Sequence, residues 1–258
     1  MINIQKKAKK LICPVCSQHM PLLTEKVGLL RIVKKIKCGD YFYYKCGNCG
    51  HTVLDIPEDI NLKYQSNYRS NAAMTGDIIN NELSERYYSN RESILNRRVA
   101  KIDSFIEGKK GIFDIACGGG YVLNYYKKKE HMVTGIEIDD LCVNACRRLG
   151  IDCIKGGFLK TDIQDKYAVV MAWHILEHVL DINAFIRKTV DITNKNGLVI
   201  IEVPVDRGLI REWQLYNGHV HSFTKESLAK LIDKFNIKCL YSSDGIQKPA
   251  WLYVGEVQ

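Results

Sequence analysis

No stretch of this 258-residue chain approaches the ~18 apolar residues that a membrane-spanning helix needs. The longest apolar segments, residues 167–173 and 197–205, are the size of strands. No apolar run follows the early charges Lys6, Lys7, Lys9 and Lys10, so the start does not read as an export leader. Without such a leader the ten cysteines read as thiols or metal ligands ahead of disulfides, and the expected location is cytoplasmic. The chain also lacks internal repeats and low-complexity tracts. With 46% apolar and 26% charged residues it has an ordinary globular balance, which excludes disordered and collagenous classes. A P-loop Gly-Lys-Ser/Thr is missing, as is the G-x-G-x-x-G spacing of dinucleotide sites. What remains is enough chain for one large domain, or a medium domain with an appendage. The formal charge of +8 suits a phosphorylated small molecule, a nucleic acid or plain solubility, and does not choose among them.

Two cysteine pairs come first. Cys13-Pro14-Val15-Cys16 and Cys46-Gly47-Asn48-Cys49-Gly50 each offer two thiolates from a tight turn. Gly50 permits the positive φ that such knuckles need. Strand-like text at 32–36 and 41–44 lies between them. Paired CxxC turns point to a zinc ribbon over residues 1–56, with Cys13, Cys16, Cys46 and Cys49 as ligands and Cys38 and His51 as spares. Four thiolates close the coordination sphere, so the expected zinc is structural, and it lowers the formal charge to about +6. Residues 57–106 read as a connector and helical cap. An Asn-rich polar segment carrying Tyr64 and Tyr68 is followed by Ile78, Ile79, Leu83, Tyr87, Ile94, Leu95, Val99, Ile102, Phe105 and Ile106 near helical spacing. One or two helices are predicted there, ended by Gly108.

From residue 107 to 258 strand and helix patterns alternate. Strands are predicted at 111–116, 132–138, 152–155, 168–173 and 198–203, helices at 121–129, 140–149, 183–193 and 225–235, and two further strands at 237–242 and 251–254. This rhythm implies an α/β fold of Rossmann type, a mainly parallel sheet with helices on both faces. Asp114-Ile115-Ala116-Cys117-Gly118-Gly119-Gly120 joins the first of these strands to a helix, where glycines let a ligand approach the backbone and the helix start offers free N–H groups. Glu137 ends the next strand about twenty residues on, where a carboxylate can accept from both hydroxyls of a ribose.

The spacing D-x-A-x-G-x-G resembles the first motif of class I S-adenosylmethionine-dependent methyltransferases, [D/E]-x-G-x-G-x-G. Trp173-His174-Ile175-Leu176-Glu177-His178-Val179 matches that family's motif after its fourth strand, and residues 197–204 match its fifth strand. His219-Val220-His221-Ser222-Phe223-Thr224-Lys225-Glu226-Ser227-Leu228 is similar to the EHLHFFTPESL signature of a subgroup that often begins with a zinc ribbon. The chain departs from the pattern at Ala116, at Tyr167-Ala168 (often Phe-Asp) and at Gly157 (often Asp). The resemblance implies a cofactor site formed by Asp114, Ala116, Cys117, Gly118, Gly120, Glu137, Ile138, Phe158, Trp173 and His174, with Phe158 or Leu159 packing against the adenine.

The same resemblance implies methyl transfer to a small molecule, a sugar, sugar nucleotide or related metabolite, and the absence of a further C-terminal domain favours O-methylation. Candidate bases are His174, His178, His219 and His221, with His178 and His221 preferred. His174 and His178 share a face if a helix begins at once, and His219 and His221 point one way in an extended segment. Packing or loop-holding roles remain open for all four. A metal held by the two histidine pairs is disfavoured for want of a nearby acid. Cys142, Cys146 and Cys153 read as packing thiols. Tyr64, Tyr68, Tyr87 and Tyr88 are either a lid over substrate or ordinary half-buried aromatics, and Arg207, Arg211 and Trp213 either meet an anionic acceptor or are solvated. Two other readings stand beside this one: an RNA methyltransferase using Lys6, Lys7, Lys9, Lys10, Lys34, Lys35 and Lys37 on phosphates, and a cofactor-binding or interaction protein without activity. Against RNA, there is no Asn-Pro-Pro-Tyr motif of base-amine methylation. The oligomeric state has no sequence signal.

Overall fold

The structure, a computed structural model, describes residues 11–20, 42–55, 77–80, 82–205, 219–245 and 249–258. Two short antiparallel pairs frame the cysteine turns. Strands β1 (Leu11–Ile12) and β2 (His19–Met20) flank the first, and β3 (Phe42–Lys45) and β4 (Thr52–Asp55) the second. The next pair, β5 (Ile78–Ile79) and β6 (Glu82–Leu83), corrects the helix expected from residue 78. Asn80 has φ +50, a conformation that turns the chain and that Asn tolerates, so Ile78, Ile79 and Leu83 belong to a hairpin. Helix α1 begins only at Glu85 and runs to Ile106, and Gly108 follows at φ +74.

Then come β7 (Ile112–Ile115), α2 (Tyr121–Lys128), β8 (Val133–Glu137), α3 (Asp140–Arg148), β9 (Asp152–Lys155) and β10 (Tyr167–Trp173). A 3-10 turn at Leu176–His178 leads to α4 (Ile182–Asp191) and β11 (Thr193–Pro204). The last elements are β12 (His221–Ser222), α5 (Lys225–Asp233), β13 (Ile237–Asp244) and β14 (Ala250–Val257). Seven strands form one sheet in the order β9-β8-β7-β10-β11-β14-β13, parallel from β9 to β11, with β14 antiparallel to both its neighbours. Strand order reverses between β7 and β10, where open α/β sheets bind ligands beyond their carboxyl ends.

The central strands are buried on both faces, as a covered parallel sheet requires. Phe113, Ile115, Val170, Ala172, Val199 and Ile201 enter one core, and Ile112, Val169, Met171, Leu198 and Ile200 enter the other. Val99, Ile102 and Ile106 of α1 pack into the second core, so this helix covers the sheet itself. Cys13, Val15, Met20, Tyr44, Cys46, Cys49 and Val53 belong to the first. The cysteine lobe therefore shares a core with the sheet, and β12 seals the join by pairing antiparallel with β4.

Candidate functional site

The glycine turn after β7 is held in a shape that few residues adopt. Gly118 (φ +55) and Gly120 (φ +74) are left-handed, and so is Ala116 (φ +56). A Cβ in that region costs about 1–2 kcal/mol, partly offset by the greater unfolded-state freedom of glycine. Ala116→Gly is therefore expected to raise stability by about 0.5–1 kcal/mol in urea denaturation, and a loss of stability would contradict this account. Cys117 points inward, its Sγ 3.8 Å from that of Cys146 and 3.9 Å from that of Cys153, so only its main chain faces the turn. Cys142, Cys146 and Cys153 are buried thiols. The tight approach explains Gly135 in β8, where a Cβ would sit 2.5 Å from the Cys117 sulfur.

Glu137 bridges the end of β8 to this turn. Its Oε2 accepts from the Gly118 N–H at 2.9 Å, and its Oε1 from the Ile138 and Asp139 N–H groups at 2.7 and 3.0 Å. Burial pushes its pKa up, against the pull of those amides. Three of its roughly four acceptor positions are thereby filled, and Oε2 keeps capacity for one further donor. Beside it, a Cβ on Gly157 would meet only Ile138, at 4.0 Å, and Ile138 and Leu159 are exposed for large apolar residues. This open, apolar-flanked place suits a flat ring. Phe158 does not line it: the ring packs against Phe113 and Phe185 inside the core, which leaves Leu159 for the expected contact. Tyr87 and Tyr88 close on the turn from α1, the Tyr87 hydroxyl accepting from the Gly119 N–H (2.9 Å) and the Tyr88 hydroxyl donating to the Gly119 carbonyl (3.3 Å). Tyr64, Tyr68, Arg207, Arg211, Trp213, Cys38 and the lysines assigned to phosphate contacts lie outside the described residues.

Behind the turn runs a chain of buried charges. Asp114 is pushed up to about 8 by burial, with the Arg98 guanidinium pulling the other way. Arg98 donates to Glu202 Oε1 (3.2 Å) and to the Tyr121 hydroxyl, and its guanidinium lies 4.3 Å from the centre of a Trp173 ring. Trp173 thus packs on Arg98 in the core rather than standing open to a ligand. The same Glu202 oxygen is 2.8 Å from His174 Nε2, while Glu177 Oε1 is 3.5 Å from His174 Nδ1. Burial opposes a charge on His174, but the two carboxylates outweigh it and hold its pKa at about 9. His174 is therefore an imidazolium at neutral pH, a poor proton acceptor.

The histidines part company. His174 has φ +52 and ends β10, and only the short 3-10 turn follows, so it does not share a helix face with His178. His178 instead stacks edge-on with His219 at 4.7 Å, and both approach Glu177, whose pKa falls because His174, His178 and His219 outweigh its burial. The Val220 N–H donates to the Glu177 carbonyl at 2.8 Å and pins that segment in place. His221 turns to the cysteine lobe, its Nδ1 3.0 Å from His51 Nε2 with the rings stacked. Burial pushes its pKa down to about 4. In this seam it is a packing contact, as is His51, which the lobe spends on His221 rather than on a metal.

The four cysteines of the lobe converge. Their sulfurs all lie within 4.8 Å of one another, with Cys13 to Cys49 at 3.6 Å and Cys16 to Cys46 at 3.4 Å. A tetrahedral zinc with bonds of about 2.3 Å needs edges close to these. The turns match: Ser17 N–H to Cys13 O at 2.9 Å and Gly50 N–H to Cys46 O at 2.9 Å, with Ser17 and Gly50 both at positive φ.

A family model described as a methyltransferase domain matches residues 86–242. A ubiquinone biosynthesis O-methyltransferase of Rhodopseudomonas palustris (strain TIE-1) is 25% identical over 125 residues, 46% of this chain and 47% of that protein. The chain thus aligns with about half the length of the curated relatives it matches. The Burkholderia thailandensis 1,6-didemethyltoxoflavin N1-methyltransferase, solved with S-adenosylhomocysteine, superposes with a TM-score of 0.62 at 13% identity, covering 87% of this chain and 98% of that one. An amino pentose methyltransferase of Micromonospora echinaspora, solved with S-adenosylmethionine, gives 0.57 at 12% identity, covering 67% and 96%. These two likenesses are of fold.

Proposed function

The chain belongs to the methyltransferase-domain family, and on that premise we propose that it transfers the methyl group of S-adenosylmethionine to an oxygen of a small molecule, a sugar, a sugar nucleotide or a related metabolite. The observation that carries this is the Glu137 bracket at the strand-order reversal, a rigid carboxylate with acceptor capacity to spare beside an apolar opening. In this reading Glu137 holds the ribose, Ile138 and Leu159 flank the adenine at Gly157, and the main chain of 116–120, backed by the buried Asp114, meets the amino-acid end. When bound, the cofactor supplies an electrophilic methyl on a sulfonium. Glu177, His178 and His219 receive the acceptor's hydroxyl. His174 keeps the Glu177 and Glu202 carboxylates apart and in place. The attacked oxygen is supported by the relatives named O-methyltransferases, and the sugar by the amino pentose enzyme of the same fold.

In the same reading residues 1–56 carry one structural zinc on Cys13, Cys16, Cys46 and Cys49, 57–106 form the connector and helical cap, and 107–258 bind the cofactor. The place of work is the cytoplasm; no helix among the described residues is long and apolar enough to cross a membrane. Calorimetry with S-adenosylhomocysteine tests the cofactor assignment. Wild type is expected to bind, and Glu137→Ala to lose about 100-fold, since each hydrogen bond to a charged group is worth about 1.5–3 kcal/mol. Folded wild-type protein that fails to bind would end the methyl-transfer reading.

A further inference from the structure

We propose that Glu177, His178 and His219 form a binding site for one divalent first-row metal ion, which takes the acceptor's oxygen. One ligand atom from each residue lies within 4.8 Å of the other two. Two imidazoles and one carboxylate make a facial set that leaves coordination positions open, as catalytic metal sites do. The strongest sign is on Glu177. The residue is 1% exposed, and its Oε2 is buried with no hydrogen-bond partner among the described residues. Its other oxygen faces His174 Nδ1 at 3.5 Å and His178 Nε2 at 3.9 Å. An ionised carboxylate left half unsatisfied in the interior is costly, and a cation held by this carboxylate reduces that cost.

The site is built from two distant segments. The 3-10 turn sets Glu177 and His178 side by side, and the backbone bond from Val220 to Glu177 brings His219 against them from more than forty residues away. The position also fits the chemistry. The cluster lies just beyond the carboxyl end of β10, at the strand-order reversal and next to His174. Imidazole with carboxylate favours manganese, iron, cobalt or zinc over magnesium or calcium.

This inference rests on the methyl-transfer reading for its catalytic part alone; binding of the ion does not depend on it. A cation there acts as a Lewis acid on the acceptor's hydroxyl and lowers its pKa, so no strong base is required. The hydroxyl proton leaves to water, an oxygen lone pair forms the new O–C bond, and the C–S pair departs with the neutral thioether.

Titration of the full, zinc-replete chain with Mn(II), followed by loss of the free-ion electron paramagnetic resonance signal, reads the site directly. A four-thiolate site is a poor host for Mn(II), which prefers oxygen and nitrogen donors. One equivalent is expected to bind. Glu177→Gln and His178→Asn should each weaken binding by more than the roughly 10–100-fold that loss of a ligand's supporting hydrogen bond costs. Affinity for S-adenosylhomocysteine, measured on the same variants, should stay unchanged and show that they remain folded. Absence of Mn(II) binding, or equal binding by wild type and both variants, overturns the site. Stoichiometric Mn(II) binding by a protein that fails to bind S-adenosylhomocysteine upholds the site and removes the methyl-transfer reading instead.

Discussion

Glu202→Leu is expected to destabilise the protein by about 3–5 kcal/mol, the usual cost of breaking a buried ion pair from one side. Glu202 is fully buried in β11 and one of its oxygens serves two cations, Arg98 at 3.2 Å and His174 at 2.8 Å. Removing the carboxylate leaves Arg98, a residue 2% exposed, without the acid it pairs with. Leucine adds apolar packing, but that gain is smaller than the cost of a stranded charge. The double variant Arg98→Met with Glu202→Leu should recover most of the loss, since an apolar replacement of a whole buried pair is often neutral. Urea denaturation of both singles and the double closes the cycle. A coupling near zero would show that Arg98 and Glu202 are not paired in solution.

These two residues show what the sequence displays and what it hides. A glutamate inside the apolar run 198–203, and an arginine between Leu95 and Val99 in the apolar stripe of α1, each signal a buried charge in want of a partner. Nothing local says that they are partners, 104 residues apart. The glycine turn and Glu137 were legible because their meaning lies in short spacing and in the alternation of strand and helix, both local. The sheet and its order follow from the same alternation. Helical spacing misled at Ile78, Ile79 and Leu83, where one positive φ at Asn80 reverses the chain within four residues. It misled again at His174 and His178: i,i+4 neighbours share a face only on a helix, and the left-handed His174 stops one from starting. The resemblance puts Phe158 or Leu159 beside the adenine, and the aromatic pair Phe113 and Phe185 takes Phe158 into the core instead. The partners of His219 and His221, Glu177 and His51, come from tertiary closure that no local pattern encodes.

Stripping the proposed zinc from the lobe is expected to unravel more than the lobe. Structural zinc contributes about 10–16 kcal/mol in isolated zinc-finger peptides, and about fifty residues bury too little to fold unaided. Here the cost spreads through a shared core and a line of directed contacts. β12 pairs with β4, His221 stacks on His51, and the Thr224 hydroxyl at the start of α5 donates to Cys49 O at 3.2 Å. Asn183 and Lys234 both donate to Pro14 O at 2.9 Å, tying α4 and the end of α5 to the first cysteine turn. Metal analysis should find one zinc per chain that Cys13→Ser abolishes. Hydrogen exchange after chelation should then show lost protection at residues 44–54 and 220–223, with strands β7 to β11 still protected. S-adenosylhomocysteine binding should survive, because the glycine turn and Glu137 make no contact with the lobe through these bonds. Methyl transfer should fall at least tenfold, because His219 sits two residues before the strand that the lobe holds in place. Full protection at 220–223 in zinc-free protein would mean that the seam stands on its own hydrogen bonds and that the metal serves the lobe alone.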